Sequence, residues 1–486
     1  MAKINHFIVL LLENRSFDHI FGFAQPSAGQ QIDNIAAMAE APSNLLDPTK
    51  AEGRSNPAFP ASQPAPFVVH DKNGPSHSFN AVNTQLAGSN AGPTDQNPAS
   101  NIGFVKSWAD ELKRVSHDVS KEHVAEVMLS FAPDQLPAIN QLAAEFCLCD
   151  QWHCEVPGPT MPNRMFFHAA TSEGYAHNAF KRPFTSKTVY QLLEGKGLAW
   201  ACYFHDLNDL MQFSALERTP AHFRRFDKWA ADVAAGNLPT YTFLFPRFMN
   251  GKDANGDALM ANSQHAPEDA RFAEHLIADV YDALAANHNL FKESALIVTY
   301  DEHGGFHDHV IPGAAPNPDG QDSPNPDDTA GFAPVFSFDR IGLRVPAVIA
   351  SPWVPKGHVE HRKLQHTSVI KTLTEIYGLD GPLNQRDASA ASFADLFDKL
   401  QHPRAAADMP AKLTRPALDD ATESVVAGVE QDPADHALDS LTEDWARGML
   451  SLMGGGGLES VAVAAAPETQ GEAAAAIDQQ LKAMGL

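Results

Sequence analysis

A short apolar run near the amino terminus constrains the fold of this chain more than any other feature of its sequence. The apolar residues 7–12 follow one early lysine and end at Glu13 and Asn14. A run of four to eight apolar residues is typical of a strand that is buried on both faces of a parallel sheet. A secretory signal would need a longer apolar stretch and a small-residue cleavage site. The run therefore predicts a central strand that delivers a carboxylate and an amide to one edge of the sheet.

Apolar strands and amphipathic helices alternate along much of the chain. Further strands are predicted at 199–204, 240–245, 294–300 and 345–353. The helix predicted at 267–288 has one apolar face, formed by Phe272, Leu276, Val280 and Leu284. This alternation predicts an α/β fold with a mostly parallel central sheet flanked by helices. No run approaches the roughly 18 residues of a membrane-spanning helix, so we expect no transmembrane segment.

Composition divides the chain into two parts. Residues 1–400 hold the predicted strands and form the expected main domain, with loop insertions at about 25–98 and 313–331. Residues 401–486 are predicted to be a helical C-terminal extension, in which the stretch 435–453 has the pattern of an amphipathic helix. These C-terminal helices are a candidate contact for homo-oligomer formation.

Charge and cysteine content limit the function and the location of the protein. The net charge of −25 argues against a general nucleic-acid-binding protein and against a protein held on anionic lipid. Three of the four cysteines cluster in FCLCDQWHC, without the paired spacing of a typical zinc site. Free thiols and the absence of a recognisable signal peptide fit a reducing compartment. We therefore expect a cytoplasmic location, or export without a cleavable signal peptide.

Two of the predicted strands end in acid-rich turns. Glu13 and Asn14 follow the first strand, and Asp301 and Glu302 follow the strand at 294–300. Ligands of open α/β sheets bind beyond the carboxyl ends of the strands, so these oxygen donors would meet if the two strands lie side by side. Because clustered carboxylates repel one another unless a cation neutralises them, the turns predict a site for one divalent metal cation. Its oxygen donors favour calcium, magnesium or manganese over zinc, and the alternative is that each pair caps a following turn or helix.

A third candidate element is the proline-rich turn VPGPTMPNR, which precedes a predicted helix. Thr160 lies in this turn, and the N-terminus of a helix attracts phosphate. A threonine hydroxyl is a poor nucleophile at its ordinary pKa, but coordination to a metal would activate it. Asn163 and Arg164 could then hold phosphoryl oxygens. The alternatives are that Thr160 caps the turn or the helix and that Arg164 is a structural ion-pair partner.

Three long motifs occur in order along the chain: ENRSFDHIFG, PGPTMPNR and TYDEHGGFHDHV. Together they resemble the bacterial and plant phosphoesterase family of phosphatidylcholine-type non-specific phospholipase C and the related acid phosphatase. The resemblance extends from about residue 4 to about residue 395. It implies a fold similar to that of alkaline phosphatases and sulfatases, with residues 1–400 as the catalytic domain.

The resemblance also implies a role for each candidate site residue. The metal ligands would be Glu13, Asn14, Asp301 and Glu302, together with Thr160. Thr160 matches the nucleophile that becomes transiently phosphorylated. The histidines that would contact the phosphoryl group or transfer a proton are His77, His265 and, as a looser match, His205. The histidines that would support the metal turn are His303, His307 and His309.

The turn at Thr160 distinguishes phosphate ester hydrolysis from sulfate ester hydrolysis. It keeps the T-x-P-x-R spacing of the sulfatase nucleophile turn, but threonine cannot form the aldehyde that sulfatases make from cysteine or serine. We therefore predict a metal-dependent phosphoesterase, with a phosphatidylcholine-type phospholipid as the leading substrate. The alternative is an acid phosphatase that acts on small phosphomonoesters. A binding protein without catalysis would be expected to lack Glu13, Thr160 or Asp301, and all three are present.

Overall fold

A computed structural model gives the fold of most of the chain. The residues that it describes are 3–27, 29–69, 74–115, 119–178, 180, 183–253, 255–323, 335–418, 467 and 469–486. The amphipathic helix predicted at 435–453 lies outside them, as does part of the loop predicted at 313–331. None of the helices in the described ranges reaches the length and hydropathy that a bilayer crossing requires.

An eight-stranded sheet forms the centre of the described structure. The strands in chain order are β1 (His6–Leu12), β2 (Ser43–Leu45), β3 (Ala58–Pro60), β4 (Cys147–Cys149), β5 (Trp152–His153), β6 (Trp200–Phe204), β7 (Phe223–Arg225), β8 (Tyr241–Leu244), β9 (Gly251–Lys252), β10 (Ala258–Leu259), β11 (Ser294–Tyr300), β12 (Ala347–Ala350), β13 (His358–Glu360) and β14 (Leu364–Gln365). The order across the large sheet is β13-β4-β12-β11-β1-β8-β6-β7. Strand β12 runs antiparallel to its neighbours, and the other pairings in this sheet are parallel. The predicted α/β fold with a mostly parallel sheet is confirmed.

Helices flank this sheet. They are α1 (Phe17–Phe21), α2 (Phe79–Ala87), α3 (Phe104–Val115), α4 (Lys121–Ala125), α5 (Pro137–Glu145), α6 (Thr160–Ala169), α7 (Val189–Gly195), α8 (Trp229–Ala235), α9 (Arg271–Ala286), α10 (His288–Phe291), α11 (Thr367–Tyr377), α12 (Gln385–Ser389) and α13 (Gln470–Ala483). The helix predicted at 267–288 corresponds to α9. Its predicted apolar face is buried at Leu276, Val280 and Leu284.

The parallel neighbours β1 and β11 place the candidate site through their register. Leu12 pairs with Tyr300, so Glu13 and Asp301 leave the sheet at the same level. Both strands are almost entirely buried, which agrees with their continuous apolar sequences. Two strands that end together on adjacent positions of a parallel sheet bring the residues after them into contact.

The segment 25–98, which we expected to be surface loops, contains regular structure of its own. Strands β2 and β3 pair with each other, and α2 joins α3 in a second hydrophobic cluster that includes Val82, Leu86 and Trp108. The sequence pattern missed these elements because both strands have three residues and α2 has nine, which is too short for a clear period.

The C-terminal helix α13 packs against the main core. Its buried apolar residues are spaced by four positions: Ala473, Ile477 and Leu481. Gln470 Oε1 accepts a hydrogen bond from the N–H of Asn250 at 2.8 Å, and Asp478 pairs with Arg225 at 3.1 Å. Helix α13 therefore covers the end of β7 and the loop that follows β8.

A buried ion-pair network joins the start of α1 to the turn after β11. Arg344 lies 3.1 Å from a carboxylate oxygen of Asp18 and 2.9 Å from one of Asp308. His309 lies between Asp18 and Asp33, at 2.7 and 3.1 Å. Although burial opposes a charge on this ring, the two hydrogen bonds to carboxylates raise the pKa of His309 to about 10.

Replacing His309 with glutamine tests this network through the pH dependence of stability. The pKa of His309 is about 10 in the folded chain and 6.5 for an ordinary histidine, so unfolding releases its proton between these values. The free energy of unfolding should fall as pH rises through this window, and His309→Gln should flatten that fall. Urea unfolding at several pH values measures the slope, with His402→Gln at an exposed position as the control. Equal slopes for the wild type and His309→Gln would contradict the assigned protonation.

Candidate active site

Two acidic turns meet where β1 and β11 leave the sheet. Asn14 has a left-handed backbone conformation, with φ of 60°, and its N–H donates to Asp301 Oδ1 at 3.1 Å. The N–H of Glu302 donates to the same oxygen at 2.7 Å. The side chains of these three residues and of Glu13 are buried. The structure therefore brings the predicted oxygen donors together, and we call these four residues the carboxylate cluster.

A glycine permits the close approach of the two turns. Gly304 has φ of +68°, and a Cβ atom there would overlap the backbone carbonyl of Asn14. Its N–H donates to Glu302 Oε2 at 2.8 Å, which holds that carboxylate against the turn. Any side chain at this position would push the two strand ends apart.

Arg164 supplies a buried positive charge to the carboxylate cluster. Its guanidinium lies 3.3 to 3.4 Å from a carboxylate oxygen of Glu13, Asp301 and Asp209. These contacts agree with the structural ion pair that the sequence offered for Arg164, and its role in phosphoryl binding stays a prediction. Burial raises the pKa of Asp301 to about 7 even though the charge of Arg164 opposes this shift. One guanidinium is thus not enough to offset the buried carboxylates.

Thr160 is the first residue of α6. Its side chain is fully buried, and its Oγ1 has no hydrogen-bond partner among the described residues, so it does not cap the helix. Arg164 follows one turn later, and side chains four residues apart lie on one helix face. Because Arg164 reaches Glu13 and Asp301, this face of α6 is directed at the carboxylate cluster. Thr160 therefore lies on the same helix face as Arg164, and its place in the site stays a prediction.

Sequence reasoning missed a hydrogen-bonded chain behind Arg164. Asp209 contacts Arg164 through Oδ2 and His168 Nε2 through Oδ1, the latter at 3.0 Å. The other ring nitrogen of His168 lies 3.0 Å from the Tyr190 hydroxyl. His168 continues the helix face of Thr160 and Arg164, so its spacing of four residues could have revealed it. Asp209 carries no such signal because a separate 3₁₀ turn supplies it.

The contacts of Asn163 differ from its predicted role in phosphoryl binding. Its Oδ1 accepts from the backbone N–H groups of Glu155 and Val156 at 2.9 and 2.8 Å. Its Nδ2 donates to the backbone carbonyls of Val156, Gly158 and Pro159 at 3.0 to 3.2 Å. These bonds use both oxygen lone pairs and both amide hydrogens, so no group remains for a phosphoryl oxygen. Asn163 instead fixes the turn that precedes α6.

Two of the predicted histidines border the carboxylate cluster. His77 Nε2 lies 3.1 Å from Asn14 Nδ2 and 3.8 Å from Glu302 Oε1. The ring of His265 stands edge-on to that of His77, with ring centroids 5.8 Å apart. His77 Nδ1 donates to the carbonyl of Pro75 at 3.0 Å, so its Nε2 accepts from Asn14 Nδ2. This contact orients the Asn14 amide with its oxygen away from His77.

The three histidines of the metal-turn motif have different surroundings. His303 donates to Gln85 Oε1 at 2.7 Å, and its Nδ1 lies 3.4 Å from Glu302 Oε2. His307 packs against Phe104, and burial lowers its pKa to about 4. His309 belongs to the ion-pair network of Arg344. Only His303 of the three contacts the carboxylate cluster in the described structure.

The structure does not bring His205 to the carboxylate cluster. His205 follows β6, and β8 lies between β6 and β1 in the sheet. Its ring stacks on Phe226 with centroids 4.2 Å apart, and its Nδ1 lies 3.2 Å from a guanidinium nitrogen of Arg247. The catalytic role of His205 stays a prediction, and the strand order places this histidine two strands away from β1.

The carboxylate cluster and Thr160 offer oxygen atoms that fit a divalent cation. Four buried oxygens have no hydrogen-bond partner within the described ranges: Asn14 Oδ1, Thr160 Oγ1, Asp301 Oδ2 and Glu302 Oε1. Buried oxygens without hydrogen bonds are costly unless a cation or ligand contacts them. A set made only of oxygen donors suits calcium, magnesium or manganese. These oxygens and the carboxylate of Glu13 could hold such an ion.

A second group of possible ligands fits a metal less well. Ligand atoms of Asp18, Asp308 and His309 lie within 4.8 Å of one another. Arg344 already donates to both carboxylates, and His309 is protonated. Because these cations balance the buried negative charge, the group is an ion-pair network. The candidate metal site is therefore the carboxylate cluster.

The sequence is similar to known proteins along most of its length. The profile of the Phosphoesterase family matches residues 4–380. The chain belongs to the phosphoesterase family. This phosphoesterase is 34% identical over 431 residues to non-specific phospholipase C1 from Arabidopsis thaliana, across 85% of this chain and 74% of that protein.

Further comparisons agree with this assignment. Non-specific phospholipase C6 from Arabidopsis thaliana is 33% identical over 470 residues, across 91% of the phosphoesterase and 83% of the relative. Phospholipase C B from Mycobacterium tuberculosis is 25% identical over 454 residues, across 83% of this chain and 81% of that protein. The protein is therefore a hydrolase of phosphoric ester bonds. The structure of a protein in the alkaline phosphatase superfamily from Vibrio parahaemolyticus was also matched, at 14% sequence identity. The match covers 52% of this chain and 64% of that chain, and its TM-score of 0.30 is too low to carry an argument.

Replacing Gly304 with alanine tests the close approach of the two turns. Backbone strain and overlap with Asn14 should together lower the free energy of unfolding by at least about 3 kcal/mol. Gly320→Ala is a matched control, because Gly320 has φ of +77° and a Cβ there would meet nothing within 4 Å. The control should lose on the order of 1 kcal/mol from strain alone. Equal losses in urea unfolding would contradict the assigned contact.

Replacing Glu302 with glutamine tests the metal site without an activity assay. The change removes one charge from the carboxylate cluster, so the metal-free phosphoesterase should unfold close to the wild-type temperature. The increase in unfolding temperature on adding calcium, magnesium or manganese should be lost, because the charge of the ligands sets the affinity for such ions. Differential scanning calorimetry measures the unfolding temperature without metal and with the added cation. Asp398→Asn, at the exposed surface, is the control. If the cation raises the unfolding temperature of Glu302→Gln as much as that of the wild type, Glu302 is not a metal ligand.

Proposed function

We propose that this phosphoesterase is a metal-dependent phospholipase C that hydrolyses the glycerol-side phosphodiester bond of phosphatidylcholine-type lipids. The observation that carries the proposal is the buried hydroxyl of Thr160, on the helix face that Arg164 directs at the carboxylate cluster. A buried hydroxyl without a hydrogen bond destabilises the fold. Its presence beside buried carboxylates supports a role in chemistry.

The substrate class is proposed from the relatives. Two of them are named non-specific phospholipase C, at 34% and 33% identity to this chain. A headgroup that carries a positive charge also suits a protein with a net charge of −25. Phosphatidylcholine meets both conditions, because its choline is cationic and its phosphate is a diester.

The proposed reaction has two steps on Thr160. The Thr160 hydroxyl loses its proton to water, and its Oγ1 attacks phosphorus in line with the glycerol oxygen. The bond from phosphorus to that oxygen breaks, and the headgroup phosphate becomes a phosphothreonine ester. His265 donates a proton to the departing glycerol oxygen, since His77 is committed to Asn14 and Pro75. Water then attacks phosphorus and gives a proton back to His265, and the bond to Oγ1 breaks. Phosphocholine leaves, and Oγ1 takes a proton from water to restore the threonine hydroxyl.

The other residues of the site hold the reacting groups. A divalent cation bound by the carboxylate cluster would lower the pKa of the Thr160 hydroxyl and offset the charge of the phosphoryl oxygens. Arg164 holds Glu13 and Asp301 in place, and Asp209 fixes the guanidinium from behind. The N-terminus of α6 adds a favourable field for phosphate at Thr160.

Replacing Thr160 with valine tests the proposed nucleophile. The kcat/KM for p-nitrophenylphosphorylcholine should fall at least about a thousandfold, because the covalent step is lost. Thr374→Val is the matched control, since Thr374 Oγ1 is also buried without a hydrogen-bond partner among the described residues but lies on α11. The control should stay within about twofold of the wild type. Activity that survives Thr160→Val would contradict the mechanism.

The same assay separates the two substrate classes and tests the metal. Wild-type preference for p-nitrophenylphosphorylcholine over p-nitrophenyl phosphate supports the phospholipase. The opposite preference would make the protein an acid phosphatase on the same scaffold. A chelator should abolish turnover, and a divalent cation should restore it. Full activity with the chelator present would rule out metal dependence.

A further inference from the structure

The arginine of the ENRSFDHIFG motif, Arg15, directly follows Asn14 of the carboxylate cluster. Its side chain is completely buried, and its polar contacts are a backbone carbonyl and an imidazole rather than a carboxylate. The guanidinium also lies 4.7 Å from the centre of the Phe306 ring. Burying a guanidinium among neutral groups is costly for a fold. A role in positioning the site would account for that cost.

The backbone carbonyl that Arg15 contacts belongs to the segment that carries His265. Arg15 Nε donates to the carbonyl of Gln264 at 2.9 Å, and Gln264 directly precedes His265. A second guanidinium nitrogen donates to His19 Nε2 at 3.3 Å, since a guanidinium can only donate. Two hydrogen bonds on different nitrogens fix the plane of the guanidinium. Arg15 therefore holds the backbone of Gln264 in one place.

Gln264 has a left-handed backbone conformation, with φ of 73°. A residue other than glycine adopts this conformation at a cost in free energy, and it persists where the surroundings determine it. The Tyr300 hydroxyl donates to Gln264 Oε1, and Gln264 Nε2 donates to the carbonyl of Ala270 at 3.0 Å. Both ends of this buried amide are thus fixed, in addition to the backbone carbonyl that Arg15 holds.

The two acidic turns supply these contacts. Tyr300 is the last residue of β11, directly before the second turn, and Arg15 directly follows the first. The N–H of Glu13 donates to the carbonyl of Ser263 at 2.9 Å. Ser263 Oγ in turn accepts from the N–H of His265 at 3.2 Å. The segment that carries His265 is therefore anchored to the same strand ends that hold the carboxylate cluster.

We propose that Arg15 and Tyr300 are positioning residues for the general acid His265. By fixing Gln264 in its left-handed conformation, this pair sets the place of the next residue relative to the carboxylate cluster. We call Arg15 and Tyr300 the Gln264 clamp. The inference rests on the proposed function, in which His265 protonates the departing glycerol oxygen. Because a general acid must lie within hydrogen-bond distance of that oxygen, a displacement of about 1 Å lowers the rate on the order of a hundredfold.

The need for a general acid depends on the leaving group, which gives the proposal a specific test. A glycerol oxygen leaves as a strongly basic alkoxide unless it is protonated, whereas the nitro group stabilises p-nitrophenolate without a proton. Dihexanoylphosphatidylcholine and p-nitrophenylphosphorylcholine share the headgroup and differ in the leaving group. The ratio of their kcat/KM values, lipid over aryl ester, therefore measures general acid catalysis. A loss of folded enzyme lowers both values equally and leaves this ratio unchanged.

Two substitutions open the Gln264 clamp from different sides. Arg15→Met removes the hydrogen bond to the Gln264 carbonyl and keeps an unbranched side chain, while Tyr300→Phe removes only a hydroxyl. Each should lower the ratio at least about tenfold, with kcat/KM for the aryl ester within about threefold of the wild type. Arg404→Met is the matched control, because Arg404 also lies over a phenylalanine ring, that of Phe146 at 5.2 Å. The control should leave the ratio unchanged.

His265→Gln separates a failure of the clamp from a failure of the proposed function. It should lower the ratio at least as much as either clamp variant. An unchanged ratio in Arg15→Met or Tyr300→Phe, with a lowered ratio in His265→Gln, would overturn the role of that clamp residue alone. If Arg15→Met does not fold, Tyr300→Phe decides by the same ratio. An unchanged ratio in His265→Gln would overturn the proposed acid and the clamp with it, and a wild type that hydrolyses neither substrate would overturn the proposed function itself.

Discussion

The structure depends on the burial of like charges at the ends of two parallel strands. The register of β1 and β11 forces Glu13 beside Asp301, and Glu302 follows at the same level. Three carboxylates in a buried space repel one another, and the single guanidinium of Arg164 offsets only part of that charge. Burial raises the pKa of Asp301, the charge of Arg164 opposes this shift, and the charge of Glu302 adds to it. The fold therefore contains a local excess of negative charge that a divalent cation would relieve.

The second acidic network shows how the same chain balances charge where no chemistry is needed. Asp18 and Asp308 are buried as deeply, but Arg344 contacts both and the protonated His309 contacts Asp18. Every carboxylate oxygen there has a donor nearby. In the carboxylate cluster, by contrast, Glu302 Oε1 has no hydrogen bond in the described structure, and Asp301 Oδ2 has only the ion pair with Arg164 at 3.4 Å. The difference between a structural ion pair and a candidate active site lies in these unsatisfied oxygens.

Elements far apart in sequence supply the surroundings of the site. Helix α6 aligns Thr160, Arg164 and His168 on one face, and Asp209 joins the last two. The insertion before α3 supplies His77, which orients the Asn14 amide. The sheet thus fixes the charges, while α6 and the insertion supply the side chains around them.

The fold class, the two acidic turns and the proline-rich turn of Thr160 follow from the amino-acid sequence. Continuous apolar runs require burial on both faces, and a parallel sheet with its residues at the carboxyl ends is the fold that provides it. The sequence could not show that Asn163 folds back on its own turn, or that β8 separates His205 from β1. It also gave no signal for Asp209. These contacts depend on strand order, loop path and long-range packing, which no local pattern encodes, so the polar residues that meet are known only from the folded chain.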